Sequence, residues 1–118
     1  MINKKRFIYL ISPNKINNTS FYYDLEILLK SNKIEYFQLR LKNQSSKKII
    51  TAAKKIKNIC QNYNVKFIIN DKPLIALKVR ADGCHLGQSD MNIINARKIL
   101  KNKIIGVTCN NSKELGKI

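Results

Sequence analysis

Short apolar segments of strand length alternate with amphipathic segments of helical period along almost the whole chain. Five segments have the length and content of buried strands, and they lie at residues 7–11, 35–39, 65–69, 83–86 and 104–107. Strict alternation of this kind predicts an α/β fold with a parallel sheet, because each helix carries the chain back to start the next strand in the same direction.

Amphipathic helices are predicted between these strands because apolar residues recur there every three or four positions. The first helix begins after Thr19 or Ser20 and extends to about Ser31, and Ser45 or Ser46 can cap the second. The apolar faces of these two helices consist of Phe21, Leu25, Leu28 and Leu29, and of Ile49, Ala52, Ala53, Ile56 and Ile59. Strand and helix therefore form repeated units from the start of the chain.

The later helices follow the same pattern. Pro73 suits the first turn of a third helix through Val79, and apolar residues over 93–100 predict a fourth. Ser112 could cap a fifth helix. With 118 residues and 44% hydrophobic content, the chain can bury one core of ordinary size, so residues 1–118 are predicted to form a single domain.

Two architectures fit strict alternation, the open doubly wound sheet and the (β/α)8 barrel. The chain has only four glycines, and they form neither a dinucleotide-binding fingerprint nor a phosphate-binding Walker loop. Polar residues follow three successive predicted strands, which favours the active face of a barrel.

The formal net charge of +16 would suit a polyanionic partner such as nucleic acid. However, Lys, Asn and Ile make up 53 of the 118 residues, and these are the residues that A/T-rich codons supply. The lysines are dispersed along the chain, and no recognised nucleic-acid motif is present. The charge alone therefore does not predict a nucleic-acid-binding protein.

The three cysteines, Cys60, Cys84 and Cys109, are odd in number and lack CxxC spacing. They predict neither a zinc site nor a disulfide framework, which fits a reducing cytoplasm. No apolar run approaches the roughly 20 residues of a membrane-spanning helix. We expect a cytoplasmic protein that does not span a membrane.

The end of the second predicted strand carries an amide and two cations on one face. Side chains alternate along a strand, so Gln38, Arg40 and Lys42 point the same way, whereas Leu39 and Leu41 face the helices. Arg binds phosphate oxygens in a fork and Lys adds a point charge. This strand end is either an anion site or a basic segment that projects into water.

Carboxylates follow the next two strands, at Asp71 and at Asp90. Mg²⁺ takes few protein ligands and completes its shell with water and substrate phosphate oxygens, so the two carboxylates predict a magnesium site facing a bound diphosphate. The alternative is that each caps the helix that follows it. Asp82 enters a strand at the opposite end of the sheet, and we interpret it as structural.

Two further residues near strand ends have chemistry of their own. His85 is either a core residue, a turn-positioning group or a general base. Thr108 could donate its hydroxyl to an anion after the fifth strand. The neighbouring Cys109 is not favoured as a nucleophile, because nothing near it in sequence would lower its pKa.

Taken together, the segments 38–42, 69–71, 81–90 and 105–108 resemble the thiamine phosphate synthase family, in that order and at family-like spacing. Their sequences are Gln-Leu-Arg-Leu-Lys, Ile-Asn-Asp, Ala-Asp-Gly-Cys-His-Leu-Gly-Gln-Ser-Asp and Ile-Gly-Val-Thr. The resemblance covers nearly the whole chain. It implies a (β/α)8 barrel that joins a pyrimidine methyl diphosphate to a thiazole phosphate, forming thiamine phosphate and pyrophosphate.

The resemblance also implies roles for individual residues. The pyrimidine diphosphate would be bound by Gln38, Leu39, Arg40, Leu41, Lys42 and Asn70, with Thr108 as the hydroxyl after the fifth strand. Mg²⁺ would be the cofactor, with Asp71 and Asp90 as its ligands. Arg40 and Lys42 would be catalytic, because they would stabilise charge on the departing pyrophosphate.

The chain also departs from the family pattern. Many relatives carry a His shortly after the hydroxyl residue, whereas this chain has Cys109 and Asn110. The sequence covers about four and a half units of an eight-unit barrel, so we expect a truncated barrel without the thiazole phosphate loops. Turnover by the isolated chain does not follow from the resemblance, and a homodimer or a complementing second chain could cover the open edges.

Two other functions remain open. The related thiazole tautomerase branch has a similar fold, but it does not use the diphosphate and magnesium set that Arg40, Lys42, Asp71 and Asp90 would form. The other is a half-barrel without catalytic activity that binds a phosphorylated ligand or a partner protein. Binding of the pyrimidine diphosphate, with and without Mg²⁺, separates these functions.

Overall fold

A computed structural model describes residues 8–87 and 92–108 of the chain. In chain order the elements are β1 Ile8–Ile11, α1 Ser20–Leu29, β2 Ile34–Leu39, α2 Ser46–Asn62, β3 Lys66–Asn70, α3 Pro73–Val79, β4 Gly83–Leu86, α4 Ile93–Leu100 and β5 Ile104–Val107. The predicted alternation is confirmed, and the bounds of the last four elements agree with the prediction. The predicted fifth helix lies outside the described residues.

All five strands are parallel, and their order in the sheet is β1-β2-β3-β4-β5. Each described strand therefore pairs with its neighbour in sequence, and the four described helices pack into one core on the same face of the sheet. A doubly wound sheet reverses its strand order and carries helices on both faces. The order seen here is that of a barrel wall, which decides between the two predicted architectures.

One core lies between the sheet and its helices. Every second side chain along β2, β3 and β4 points into this core. These side chains are Phe37, Leu39, Phe67, Ile69, Cys84 and Leu86. The opposing face of α2 is formed by Ile49, Ala52, Ala53, Ile56 and Cys60, with Ile59 only half-buried. The side chain of Ser45 accepts a hydrogen bond from the backbone N–H of Lys48, so Ser45 is the cap of α2.

The prediction that the first strand is buried is wrong. Ile8 and Ile11 of β1 are 47% and 50% exposed, because β1 is at the edge of the described sheet and pairs with β2 alone among the described strands. Leu28, predicted on the apolar face of α1, is 49% exposed for the same reason. It lines an open apolar cavity with Leu10, Ile11, Phe21 and Phe37 at this edge.

The two described cysteines, Cys60 and Cys84, are both buried, and neither forms a disulfide bond. Burial raises the pKa of the Cys60 thiol to about 12, so it is protonated at neutral pH. Within residues 8–87 and 92–108, no helix combines the length and apolar content needed to cross a membrane.

Asp82 joins three strands at the amino-terminal edge of the sheet. Its carboxylate accepts a hydrogen bond from the backbone N–H of Phe67 at 2.8 Å, and its own backbone pairs with Phe67 and Ile104. These contacts support the predicted structural role. They also place Asp82 at the opposite edge from the carboxyl ends of the strands.

Asp82→Asn should lower the free energy of unfolding by about 1–3 kcal/mol, because a charged acceptor of a part-buried N–H is replaced by a neutral amide. Urea unfolding followed by circular dichroism measures the loss. Asp24→Asn is the matched control, since it removes the same charge from an exposed position on α1. Equal stability of the two variants would contradict the structural role of Asp82.

Candidate functional site

The carboxyl ends of the parallel strands meet at one edge of the sheet, and the end of β2 contributes a buried amide there. Gln38 is 2% exposed, and its side-chain N–H donates to the hydroxyl of Tyr9 on β1 at 3.1 Å. The Tyr9 ring stacks on Tyr36 with centroids 5.3 Å apart. Burial raises the pKa of the Tyr9 hydroxyl, which therefore keeps its proton at neutral pH. Gln38 is thus fixed by an aromatic pair.

The loop after β1 holds the segment that follows β2. The backbone N–H of Arg40 donates to the Ser12 hydroxyl at 2.9 Å, and the N–H of Lys42 donates to the carbonyl of Asn14 at 3.0 Å. The Arg40 guanidinium donates to the side-chain oxygen of Asn14 at 3.1 Å. Both cations therefore have a fixed backbone, while the guanidinium stays near the surface.

Lys42 and Asp71 form an ion pair between the ends of β2 and β3. The Lys42 ammonium lies 3.2 Å from the Asp71 carboxylate, and the two side chains are 37% and 23% exposed. Asp71 has a left-handed backbone with φ of 67°. This conformation turns the chain at the end of β3, so the carboxylate meets a cation from the neighbouring strand.

The structure excludes the helix-cap alternative for Asp71. The N-cap of α3 is Lys72, and no side chain caps this helix. Asp90 lies outside the described residues, but the cap of α4 is Asn92, whose side chain accepts from the N–H of Asn95 at 2.9 Å. The cap of each helix is thus a residue other than the predicted carboxylate.

His85 and Thr108 meet at the ends of β4 and β5. The imidazole Nε2 lies 2.7 Å from the Thr108 hydroxyl, and the carbonyl of His85 accepts from the backbone N–H of Asp71 at 2.7 Å. The His85 backbone thereby links this pair to the ion pair on the adjacent strand end. Of the three predicted roles for His85, the turn-positioning role agrees best with these contacts, because the His85 carbonyl holds the backbone N–H of Asp71 at the turn after β3.

The other predicted site residues divide between the two faces of the sheet. Asn70 is buried at the end of β3, two positions after Ile68, which pairs with Gln38. Leu39 is 2% exposed within the core, and Leu41 packs against it. As predicted from alternation, these two leucines face the helices, so the structure does not bring their side chains together with Arg40 and Lys42.

Sequence reasoning missed Tyr9, Ser12 and Asn14, which support Gln38, Arg40 and Lys42 from the neighbouring strand. One signal was present, because Ser12, Pro13 and Asn14 directly follow a strand in the same way as the predicted site segments. The partners of these residues could be named only once β1 and β2 were known to be adjacent.

The donor set at this edge is compatible with a hard cation. Asp71 offers carboxylate oxygen, the ligand that Mg²⁺ prefers, and it already holds a positive group in the Lys42 ammonium. Among the described residues no cluster of three or more His, Cys, Asp or Glu side chains could hold a metal ion. A magnesium ion that keeps most of its water and binds substrate oxygens does not need such a cluster.

Comparison with known proteins identifies the family of the chain. The model of the thiamine monophosphate synthase family matches residues 8–118. The chain belongs to the thiamine monophosphate synthase family. This family membership confirms the resemblance carried by the four sequence segments.

Individual relatives of the family match over about half of their own length. The chain is 62% identical over 116 residues to the thiamine-phosphate synthase of Pelagibacter ubique, covering 98% of this chain and 56% of that protein. It is 48% identical over 112 residues to that of Fusobacterium nucleatum, covering 93% and 54%. The chain therefore spans about half the length of the curated relatives it matches.

A solved structure of the family has the same fold. The thiamine phosphate pyrophosphorylase from Pyrococcus furiosus matches with a TM-score of 0.76 and 28% identity, over 87% of this chain and 50% of that chain. The predicted α/β fold of the barrel type is thus confirmed for the part of the barrel that the chain spans.

Proposed function

We propose that this chain binds a pyrimidine methyl diphosphate together with Mg²⁺, and that it provides the diphosphate half of a thiamine phosphate synthase site. The observation that carries the proposal is the ion pair of Lys42 and Asp71 at neighbouring strand ends, in a chain of this family. The Arg40 guanidinium, two residues before Lys42, is held by Asn14 in the loop after β1. Two cations and one carboxylate match a diphosphate that is bound as its magnesium complex.

The polar residues divide between the two parts of this substrate. Gln38 and Asn70, buried on adjacent strands, would bind the pyrimidine ring through amide hydrogen bonds. Arg40 and Lys42 would bind diphosphate oxygens, with the Thr108 hydroxyl as a further donor at the end of β5. Leu39 and Leu41 would act indirectly, because their packing fixes the backbone between the polar residues.

The reaction of the family requires stabilisation of the leaving group, and it requires no nucleophile from the protein. As the bond between the methylene carbon and the diphosphate oxygen breaks, its electron pair leaves with pyrophosphate, and the thiazole nitrogen supplies the pair for the new bond. Arg40 and Lys42 would stabilise the negative charge that develops on pyrophosphate.

Asp71 and Asp90 would hold Mg²⁺, which supplies positive charge to the diphosphate oxygens when bound. The Lys42 ammonium lies 3.2 Å from the Asp71 carboxylate, so the two side chains hold each other at the same strand edge. Asp71 would offer its carboxylate to the metal, and Lys42 would offer its ammonium to the diphosphate.

Location and assembly belong to the same proposal. A cytoplasmic location fits a reaction on small phosphorylated substrates. The exposed edge at β1 would be covered by a second copy of the chain or by a complementing second chain.

Lys42→Met tests the anion site, and Lys66→Met is its matched control, because Lys66 lies exposed at the opposite end of the adjacent strand β3. With Mg²⁺ present, calorimetric titration with the pyrimidine diphosphate should give about tenfold weaker binding for Lys42→Met and unchanged binding for Lys66→Met. Equal losses in both variants would mean that the ligand responds only to the overall charge of +16.

Turnover is tested separately with both substrates, by chromatography of thiamine phosphate and by release of pyrophosphate. Product that depends on Arg40 extends the proposal to the complete reaction. Diphosphate binding without product limits the function of this chain to the diphosphate half of the site.

A further inference from the structure

The contact between His85 and Thr108 is short and lies at the site edge. The imidazole Nε2 and the threonine Oγ1 are 2.7 Å apart, and both side chains are half-buried at the ends of paired strands. Either atom can be the donor in this hydrogen bond, because a neutral imidazole has two tautomers and a hydroxyl both donates and accepts. The direction of the bond decides what Thr108 can do for a ligand.

A threonine hydroxyl has one proton, so it cannot donate to His85 and to a phosphate oxygen at the same time. If Thr108 is to donate to an anion, Nε2 must carry the imidazole proton and donate to Oγ1. We propose that His85 is a positioning residue, which donates from Nε2 to Thr108 and thereby directs the threonine hydroxyl proton toward a phosphate oxygen of the diphosphate. This inference rests on the proposed function, since it names how one donor of that site is aimed.

The neighbouring strand leaves space for the imidazole in this orientation. Gly106 pairs with His85 across β4 and β5, and a Cβ at Gly106 would lie 2.7 Å from the imidazole Nδ1. The three nearest atoms to that Cβ all belong to the His85 ring. An alanine at position 106 would therefore push the His85 ring away from Thr108. The added methyl group would approach no other side chain as closely as it approaches His85.

Binding of inorganic pyrophosphate with Mg²⁺ tests the inference on the full chain. Thr108→Val should weaken binding about tenfold, the effect of one hydrogen bond to a charged group. His85→Ala and Gly106→Ala should each cause a loss of similar size, whereas His85→Gln should recover part of it, because a glutamine amide can donate near the position of Nε2. When Thr108 is already replaced by Val, adding His85→Ala or Gly106→Ala should cause no further loss of affinity.

Nuclear magnetic resonance gives a readout that a purely structural role would not produce. His85 is the single histidine of the chain, so its ring nitrogens can be observed without ambiguity in a long-range nitrogen–proton spectrum. At a pH well above the ordinary histidine pKa of about 6.5, we expect the Nε2-protonated tautomer in the pyrophosphate complex. Thr108→Val should shift the Nε2 signal because it removes the acceptor.

The outcomes separate this inference from the proposed function. If the unsubstituted chain does not bind pyrophosphate, both fail. If it binds and Lys42→Met weakens binding, but His85→Ala and Gly106→Ala bind as tightly as the unsubstituted chain, the positioning role alone is overturned. A Nδ1-protonated tautomer in the complex also overturns it, because Nε2 could then only accept.

Discussion

Asp71→Asn is expected to change diphosphate binding in opposite directions with and without Mg²⁺. With Mg²⁺, affinity should fall at least about 100-fold, since even supporting residues around a metal contribute 10- to 100-fold and Asp71 would be a direct ligand. Without metal, affinity should rise about fivefold. The carboxylate no longer repels the anion, an effect of about 1 kcal/mol at 4 Å in water, and Lys42 is released from its ion pair.

Asparagine is the suitable replacement because Asp71 has a φ of 67°, and Asn tolerates this left-handed conformation better than most residues. The backbone turn should therefore persist, and a thermal melt of the variant checks this. Asp24→Asn, which removes the same charge from α1, should leave affinity unchanged under both conditions. A loss of affinity for Asp71→Asn that is equal with and without Mg²⁺ would contradict a metal-ligand role.

Gly83→Ala should strongly destabilise the protein although it adds only one methyl group. A Cβ at Gly83 would clash with the carbonyl oxygen of Ile104 and would lie 2.6 Å from the Ile104 Cβ. The carbonyl belongs to the backbone of β5, which is paired with β4 and cannot move without breaking the ladder. We expect a decrease of about 3 kcal/mol in the free energy of unfolding, the upper part of the range for overpacking.

Gly106→Ala is the matched control for this prediction, because the same methyl group is added to the adjacent strand. There it meets only the side chain of His85, which can rotate away, so the loss of stability should be much smaller. Urea unfolding of both variants gives the comparison. Equal unfolding midpoints for the two variants would contradict the close approach of β4 and β5 at Gly83.

Local patterns in the sequence were sufficient for most of the fold. The helix Pro73–Val79 was predictable because proline suits a first helical turn, and the strand Gly83–Leu86 because it lies between a turn and a polar segment. The exposure of Ile8 and Ile11 was not predictable in this way. An apolar run indicates a strand, but its burial depends on what lies beside it in the sheet.

The candidate site was predictable where strand periodicity fixes it. Alternation predicted that Gln38 and Leu39 point to opposite faces of the sheet, and the structure confirms it. Gln38 donates to the Tyr9 hydroxyl, whereas Leu39 packs in the core. Whether Asp71 was a ligand or a helix cap could not be decided from sequence, because both roles put a carboxylate before a helix. The left-handed turn at Asp71 and the N-cap at Lys72 exclude the cap role, and the metal-ligand role stays a prediction.

Contacts between strands were beyond sequence reasoning. Nothing local indicates that Asn14 would accept from Arg40, or that His85 would meet Thr108, because these residues are far apart along the chain. Their proximity follows from strand order and register. Long-range pairs of this kind require the topology to be known first.

The central claim is that this strand edge binds a diphosphate as its magnesium complex. A pair of calorimetric titrations of the unsubstituted chain with the pyrimidine diphosphate tests it most directly, one with saturating Mg²⁺ and one with a chelator. We predict binding that is at least about 100-fold tighter with Mg²⁺, because Asp71 would hold the metal and the metal would supply positive charge to the diphosphate. Equal affinity under the two conditions, or no binding under either, would contradict the claim.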